Sequence, residues 1–200
     1  MAIQINGNGT ITGISVGGLP NGIVDTDMIA ANAVSSAKLA TGAGGKILQV
    51  VQTVKNEVTT STSGSFTAIS GLSASITPSS ASNKILIRLQ LGTVSTSNNQ
   101  YGVFIRLHKD GSHLTGATAI NVSNRYGVFA GGRTTNTNHS QGYTGEYLDT
   151  AGSTSSITYQ PYWNAEGGYG TLYLNCQQGD PDGGAYLHNI STITLMEIAA

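Results

Sequence analysis

From Lys46 to the end of the chain, apolar and polar residues alternate along short runs, and this alternation restricts the possible folds most. One face of residues 84–91 carries only aliphatic side chains: Ile85, Ile87, Leu89 and Leu91. A period of two points successive side chains to opposite sides, as in a half-buried strand, whereas a helix repeats every 3.6 residues. The region after Lys46 therefore predicts strands.

Several further runs have strand-like composition and end at Gly, Asn, Ser or Pro. They are residues 47–54, 72–76, 103–108, 119–122, 126–130, 143–148, 156–163, 171–176 and 190–198. Asp110-Gly111 indicates a tight hairpin between two of the strands. About eight to ten short antiparallel strands in one domain favour an all-β sandwich of jelly-roll type. Strands do not alternate with helices, which argues against a parallel α/β fold.

Residues 1–45 differ from the rest of the chain. They are mostly small, carry only three charged side chains (Asp25, Asp27 and Lys38) and contain no aromatic residue. Such a segment cannot bury enough area by itself to offset the entropy lost on ordering. We therefore predict an N-terminal arm, residues 1–45, and a head domain, residues 46–200. Two interpretations of the arm remain open. In one, residues 27–40 form a short helix whose small side chains allow several copies to approach closely; in the other, this segment is a frayed linker.

The charge and cysteine content exclude several functional classes. Only 10% of the residues are charged, against about 25% in typical domains, and the net charge is −1. We expect no nucleic-acid binding, because no basic field exists to attract phosphates. Cys176 is the single cysteine, so the chain forms no internal disulfide. No apolar run approaches the roughly 20 residues needed to insert in a membrane, and no signal peptide is recognisable, so we expect synthesis in a cytoplasm.

The motifs that point to catalysis or metal binding lack their required context. Ser15 sits in a Gly-x-Ser-x-Gly pattern, but no strand and helix flank it as a nucleophile elbow requires. His108 and His113 flank the predicted hairpin and supply only two imidazoles, fewer than a zinc site needs. Asp180 and Asp182 lie in a turn without the ligand spacing of a calcium loop. We expect no enzyme activity, no metal and no cofactor.

The aromatic residues are distributed unevenly, since all of them except Phe66 follow residue 100. Tyr and Trp combine a flat apolar face with a polar group, which suits stacking on sugars or insertion into a partner. The candidates for receptor contact are Tyr143, Tyr162, Trp163 and Tyr169. Tyr159 and Trp163 share one face of their strand, and packing in the core or at a subunit interface is the alternative for that face.

Two parts of the sequence resemble bacteriophage structural proteins. The arm resembles phage fibre segments in residues 11–20 and 24–40, where the shaft unit Asn-Ala-Val-x-x-Ala-Lys-Leu-Ala occurs once, at residues 32–40. Residues 46–52, 76–80, 83–87 and 191–197 resemble the heads of marine phage structural proteins. The resemblance implies a homotrimeric virion surface protein whose jelly-roll head is similar to tumour-necrosis-factor-like modules. One shaft unit rather than many implies a stub instead of a long fibre.

The resemblance leaves two non-enzymatic functions open, both at the virion surface. In the first, which we favour, the arm attaches the trimer to a tail or fibre base and the head binds a host cell-surface glycan or protein. In the second, the arm lies across capsid subunits and the trimer is a cement or decoration protein. Trimming of a host polysaccharide is a distant third. The residues expected to anchor and trimerise the arm are Ile11, Ile14, Val16, Leu19, Ile29, Ala33, Val34, Ala37 and Leu39.

Overall fold

The structure, a computed structural model, describes residues 4–5, 11–12, 46–98, 101–120, 123, 125–133, 140–184 and 186–200. The chain forms two compact units, Met1–Gly45 and Lys46–Ala200. Two short strands, β1 (Gln4–Ile5) and β2 (Ile11–Thr12), pair antiparallel in the first unit. The helix predicted over residues 27–40 lies outside the described residues.

Of the residues predicted to anchor the arm, only Ile11 falls in a described element, strand β2. The others lie outside the described residues: Ile14, Val16, Leu19, Ile29, Ala33, Val34, Ala37 and Leu39. Anchoring by these residues stays a prediction.

The described part of the second unit, here called the head, is built from twelve strands and two 3-10 turns. The strands are β3 (Ile47–Lys55), β4 (Thr59–Ser61), β5 (Thr67–Ala68), β6 (Ala74–Ile76), β7 (Lys84–Thr96), β8 (Gly102–Lys109), β9 (Ser112–His113), β10 (Ala130–Arg133), β11 (Gln141–Thr150), β12 (Ile157–Ala165), β13 (Leu172–Leu174) and β14 (Ser191–Ile198). The 3-10 turns are Thr115–Ala117 and Glu166–Gly168. The head is therefore all-β in its described residues, as predicted.

The strands form two antiparallel sheets. In sheet 1, β3, β14, β7 and β11 lie side by side in that order. The C-terminal end of β7 also pairs with β13, which pairs in turn with β4. In sheet 2, β10, β8 and β12 lie side by side, with β5 and β6 on the far side of β12 and β9 beside β8. The first and last strands of the head, β3 and β14, are thus direct neighbours.

The inward side chains of both sheets form one hydrophobic core, as in a β-sandwich. Sheet 1 contributes Ile85, Ile87, Leu89, Leu91, Ile193 and Leu195, and sheet 2 contributes Val103, Ile105, Leu107, Ile157, Tyr159 and Trp163. Cys176 is buried and is a free thiol. No helix in the described part of the chain is long and apolar enough to cross a membrane.

Two of the strands predicted from composition are wrong over much of their length. Residues 126–129 belong to no strand, and β10 begins only at Ala130. Ala119 and Ile120 are also outside the strands, while residues 121–122 lie outside the described residues. In this segment two isolated backbone hydrogen bonds take the place of a continuous β-ladder. They run from Phe129 N–H to Ile105 O and from Ala119 N–H to Val128 O. Apolar composition alone does not provide a neighbouring strand to pair with.

The hairpin predicted at Asp110-Gly111 is confirmed and joins β8 to β9. Asp110 has φ 49° and Gly111 has φ 77°. Both central residues of a type I′ turn need positive φ, which Asp tolerates and Gly adopts freely. The turn aligns His108 with His113 across the two strands.

A buried carboxylate ties the loop before β7 to the last strand. Glu197 in β14 is 1% exposed. Its oxygens accept hydrogen bonds from Ser79 N (2.7 Å), Ser79 Oγ (2.8 Å), Asn83 Nδ2 (2.6 Å) and Gln49 Nε2. Burial by itself raises the pKa of this carboxyl, but the hydrogen bonds outweigh burial and hold the pKa at about 2. Glu197 is therefore ionised and its donors are satisfied at neutral pH.

Candidate recognition surface

The outward face of sheet 2 carries an unusual concentration of rings and cations. Strand β8 points Phe104, Arg106 and His108 outward between its buried aliphatic residues, and β12 points Tyr162 the same way. The antiparallel register sets Tyr162 opposite Arg106. All four side chains are only half-buried in the head. We call this face, with the flanking Phe66 and Tyr126, the aromatic face.

Two histidine rings and the ring of Tyr162 contact one another on the aromatic face. The imidazole of His108 stacks on Tyr162 with 3.6 Å between ring centroids and 9° between planes, and the ring of His113 lies 5.7 Å from that of His108. The Nδ1 atom of His108 lies 3.0 Å from Gly111 O, which fixes the imidazole over the tyrosine. Stacked rings hold each other in place, so a ligand meets a preformed flat surface.

The neighbouring part of the aromatic face combines a cation with a ring. The guanidinium carbon of Arg106 lies 4.1 Å from the centroid of Phe66. Its Nε donates a hydrogen bond to Gly127 O at 3.2 Å. A guanidinium over a ring gains cation–π attraction while its remaining N–H groups stay available to donate. Arg106 and Phe66 thus supply both an apolar plate and hydrogen-bond donors.

A concavity of about 310 Å³ opens at one end of the aromatic face. Its wall is formed by Gly102, Phe104, Arg125, Tyr126, Arg133 and Glu166. The rings of Phe104 and Tyr126 lie 5.0 Å apart at an angle of 37° and make its apolar side. Glu166 accepts a hydrogen bond from Gly102 N at 2.8 Å, which fixes the carboxylate against the start of β8.

Tyr169, a predicted contact residue, lies in an exposed ring pair. Its side chain is 55% exposed and stacks on Tyr101 with 4.7 Å between centroids. Gly167 has φ 63°, and a Cβ atom there would lie 2.6 Å from the Tyr169 ring. Glycine at 167 is therefore needed for both the turn and the position of Tyr169.

The four predicted contact residues fall into two groups. Tyr162 and Tyr169 are accessible, as their predicted role requires. Trp163 is 1% exposed and Tyr143 is 5% exposed, because both occupy inward positions of their strands. Neither side chain can reach a receptor in this fold, so the assignment of Trp163 and Tyr143 as contacts is wrong. For Trp163 the alternative of core packing is the correct one.

Sequence reasoning missed Phe66, Phe104, Arg106 and Tyr126 as members of this surface. Phe104, Arg106 and His108 alternate with buried aliphatic residues, so their outward direction was readable from the sequence. Their proximity to Tyr162 was not, because it depends on the pairing of β8 with β12. The two histidines that were considered for metal binding belong to this surface instead. The described residues contain no group of three or more His, Cys, Asp or Glu side chains placed to hold a metal ion.

The outward face of sheet 1 has a different character. The register places Val50, Met196, Leu86 and Leu148 side by side across four strands. Val50 and Leu148 are about half exposed. Ile47, Leu48 and Val54, which lie with Val50 on the edge strand β3, are exposed to a similar extent. We call the four aligned residues the apolar row.

A polar row crosses sheet 1 next to the apolar row. It consists of Gln52, Thr194, Arg88 and Glu146, and Arg88 pairs with Glu146 at 2.6 Å. A shallow concavity of about 490 Å³ lies over these residues. The outer face of sheet 1 therefore exposes an aliphatic row beside a polar row. The outer face of sheet 2, on the opposite side of the head, exposes aromatic rings.

No protein-family model matches the chain, and no curated protein is significantly similar to it.

Proposed function

We propose that this protein is a bacteriophage virion surface protein whose trimeric head attaches the particle to its host cell. The arm holds the trimer on the virion, and the aromatic face of each head contacts a glycan or protein of the cell surface. The support comes from the resemblance of residues 11–20 and 24–40 to phage fibre segments together with the aromatic face. The aromatic face carries the proposal, because preformed rings beside a cation suit recognition and lie outside the hydrophobic core.

The strand order supports a jelly-roll head. Along sheet 1 the order is β3, β14, β7, β11, and along sheet 2 it is β6, β12, β8, β10. Early strands pair with late ones and middle strands with middle ones, as when one long hairpin is wrapped around a barrel. The aliphatic content of the apolar row and the ring content of the aromatic face then lie on opposite sides of this barrel.

The apolar row supports a homotrimer. Adjacent exposed aliphatic side chains are costly in water and are typical of subunit interfaces. If the copies meet through sheet 1, the aromatic faces of sheet 2 point away from the centre of the assembly. Three such faces on one particle multiply a weak contact through effective concentration. Closure about an axis also protects the edge strand β3 from pairing with other molecules.

Attachment predicts that fluorescently labelled full-length protein binds to cells in a panel of marine bacteria. Tyr162→Ala removes the ring under His108 and is expected to weaken cell binding by about tenfold or more. Tyr186→Ala is the matched control, because Tyr186 is exposed elsewhere in the head. Flow cytometry over a dilution series measures both. Equal binding of the two variants would contradict contact through Tyr162, and no binding of the wild-type protein to any strain would contradict attachment.

Anchoring by the arm predicts the behaviour of a truncated protein. Removal of residues 1–45 is expected to leave the head folded, because Lys46–Ala200 has its own hydrophobic core. The truncated protein is expected to be absent from virions produced by a phage lacking the full-length copy. Circular dichroism checks folding and an immunoblot of purified particles checks incorporation. Normal incorporation would show that the arm is not the anchor.

Decoration of the capsid is the alternative function, and the single shaft unit at residues 32–40 favours it. A stub suits a trimer that lies directly on a shell. Decoration requires on the order of hundreds of copies per particle, since it follows the capsid symmetry, whereas a tail position requires far fewer. Quantitative mass spectrometry of purified particles separates the two positions.

A further inference from the structure

We propose that the concavity at the end of the aromatic face binds a sugar residue that carries a carboxylate, as in an acidic surface polysaccharide. The inference rests on the proposed attachment function and assigns its ligand class. It is argued from the size, the charge and the ring surface of the concavity formed by Gly102, Phe104, Arg125, Tyr126, Arg133 and Glu166.

The size of the concavity suits one sugar ring. Its volume of about 310 Å³ lies at the lower end of ligand sites, which span roughly 300–1,000 Å³. A larger cofactor would not be enclosed by it. An extended polysaccharide with one ring there can extend along β8 toward the stacked rings of His108 and Tyr162.

The charge of the concavity suits a single carboxylate. Arg125 and Arg133 each contribute one positive charge and Glu166 one negative charge. Arg133 Nε forms an ion pair with Glu166 Oε2 at 3.8 Å, and the same oxygen accepts a hydrogen bond from Gly102 N. The three side chains therefore sum to +1, which one carboxylate neutralises and a dianionic phosphate monoester exceeds. Guanidinium groups also match the fork geometry of a carboxylate.

The rings of the concavity supply the apolar contact that sugars need. Phe104 and Tyr126 are tilted by 37°, so their two surfaces form an open angle against which the C–H face of a pyranose can pack. A Cβ atom at position 102 would lie 2.7 Å from the Phe104 ring and 3.3 Å from Glu166 Oε2. Gly102 thus leaves room for both the ring and the carboxylate of the concavity.

Another concavity of the head provides an internal contrast. It has a volume of about 460 Å³ and is lined by Asp180, Asp182, Tyr186 and His188, among others. His188 lies against Asp180 there. Its two carboxylates would repel an acidic sugar, although it also contains a tyrosine. Charge, rather than the presence of a ring, distinguishes the concavity near Arg125.

The test uses the full-length protein and isothermal titration with trigalacturonate, its methyl ester and glucose 6-phosphate. Wild-type protein is expected to bind trigalacturonate at least about tenfold more tightly than the methyl ester, which has no charge, and to bind less tightly as salt rises. Arg125→Ala is expected to reduce trigalacturonate affinity at least about tenfold, and Arg125→Lys to restore only part of it. The control Lys46→Ala removes an exposed cation that lies outside the concavity and outside the strands of both sheets, so it is expected to leave the affinity for trigalacturonate unchanged.

Several results would overturn the proposal. They are no binding of trigalacturonate, equal binding of its methyl ester, unchanged affinity in Arg125→Ala, and tighter binding of glucose 6-phosphate, which would indicate a phosphate site. The cell-binding assay separates this proposal from attachment itself. If Arg125→Ala labels bacteria like wild type while Tyr162→Ala does not, attachment holds and the carboxylate site is wrong. If trigalacturonate binds but no bacteria are labelled, the site holds and attachment is wrong.

Discussion

Replacing Glu197 with glutamine is expected to lower the free energy of unfolding by about 2–4 kcal/mol, because a buried ionised acceptor is lost from a network of donors. If the amide oxygen faces Ser79 and Asn83, the amide nitrogen points at Gln49 Nε2, which is also a donor. Turning the Gln49 amide around would relieve this conflict but break its bond to Thr77 O, now 2.7 Å. No arrangement of the amide satisfies every donor.

Urea unfolding of full-length protein measures the effect of Glu197→Gln. Glu146→Gln is the control, because Glu146 pairs with Arg88 at the surface, where both side chains are 57% exposed. Exposed ion pairs contribute less than about 1 kcal/mol. Equal losses in the two variants would mean that the network around Glu197 does not stabilise the head.

The same network predicts a pH dependence. The pKa of Glu197 is about 2 in the folded head, against an ordinary value of 4.5. A lowered folded-state pKa means that the contribution is fully present above about pH 4.5 and is lost as pH falls toward 2. The difference in stability between wild type and Glu197→Gln is therefore expected to shrink over that interval. A difference that is constant with pH would contradict the ionised state of Glu197.

The second large effect concerns assembly. Leu148→Glu is expected to convert the proposed trimer into single folded chains, with a loss of association of at least about 100-fold. A threefold interface brings the new carboxylates near one another and buries them in the apolar row. Folding is expected to change little, because Leu148 is 50% exposed in the isolated head. Val50→Glu, in the same row, is expected to act alike.

Size-exclusion chromatography with light scattering at micromolar concentration measures this effect. Leu187→Glu is the matched control, since Leu187 is also largely exposed, at 61% against 50% for Leu148, but lies outside sheet 1. Wild type and Leu187→Glu are expected to be trimeric. A monomeric wild-type protein would remove the basis for the trimer, and a trimeric Leu148→Glu variant would place the interface elsewhere.

The errors in the predicted surface have one physical origin. Trp163 and Tyr162 are adjacent, so alternation alone required that one point inward and the other outward. Composition does not say which, because both side chains are aromatic and both suit a core or a contact surface. Packing decided the question, since the larger, less polar indole fills the space between the sheets. Tyr143 was misassigned because composition does not show which face of a strand points inward, and in β11 this residue faces the core.

By itself, the sequence determined the local structure of the head: most of the strands, the inward and outward alternation along residues 84–91, and the turn at Asp110-Gly111. These features depend on neighbours along the chain, so periodicity and turn chemistry suffice to predict them. The tertiary structure alone decided which strands lie side by side. It brought Tyr162 onto His108 and aligned Val50 with Leu148 across sheet 1. Strand register arises from contacts between distant segments, and a single sequence contains no local signal for them.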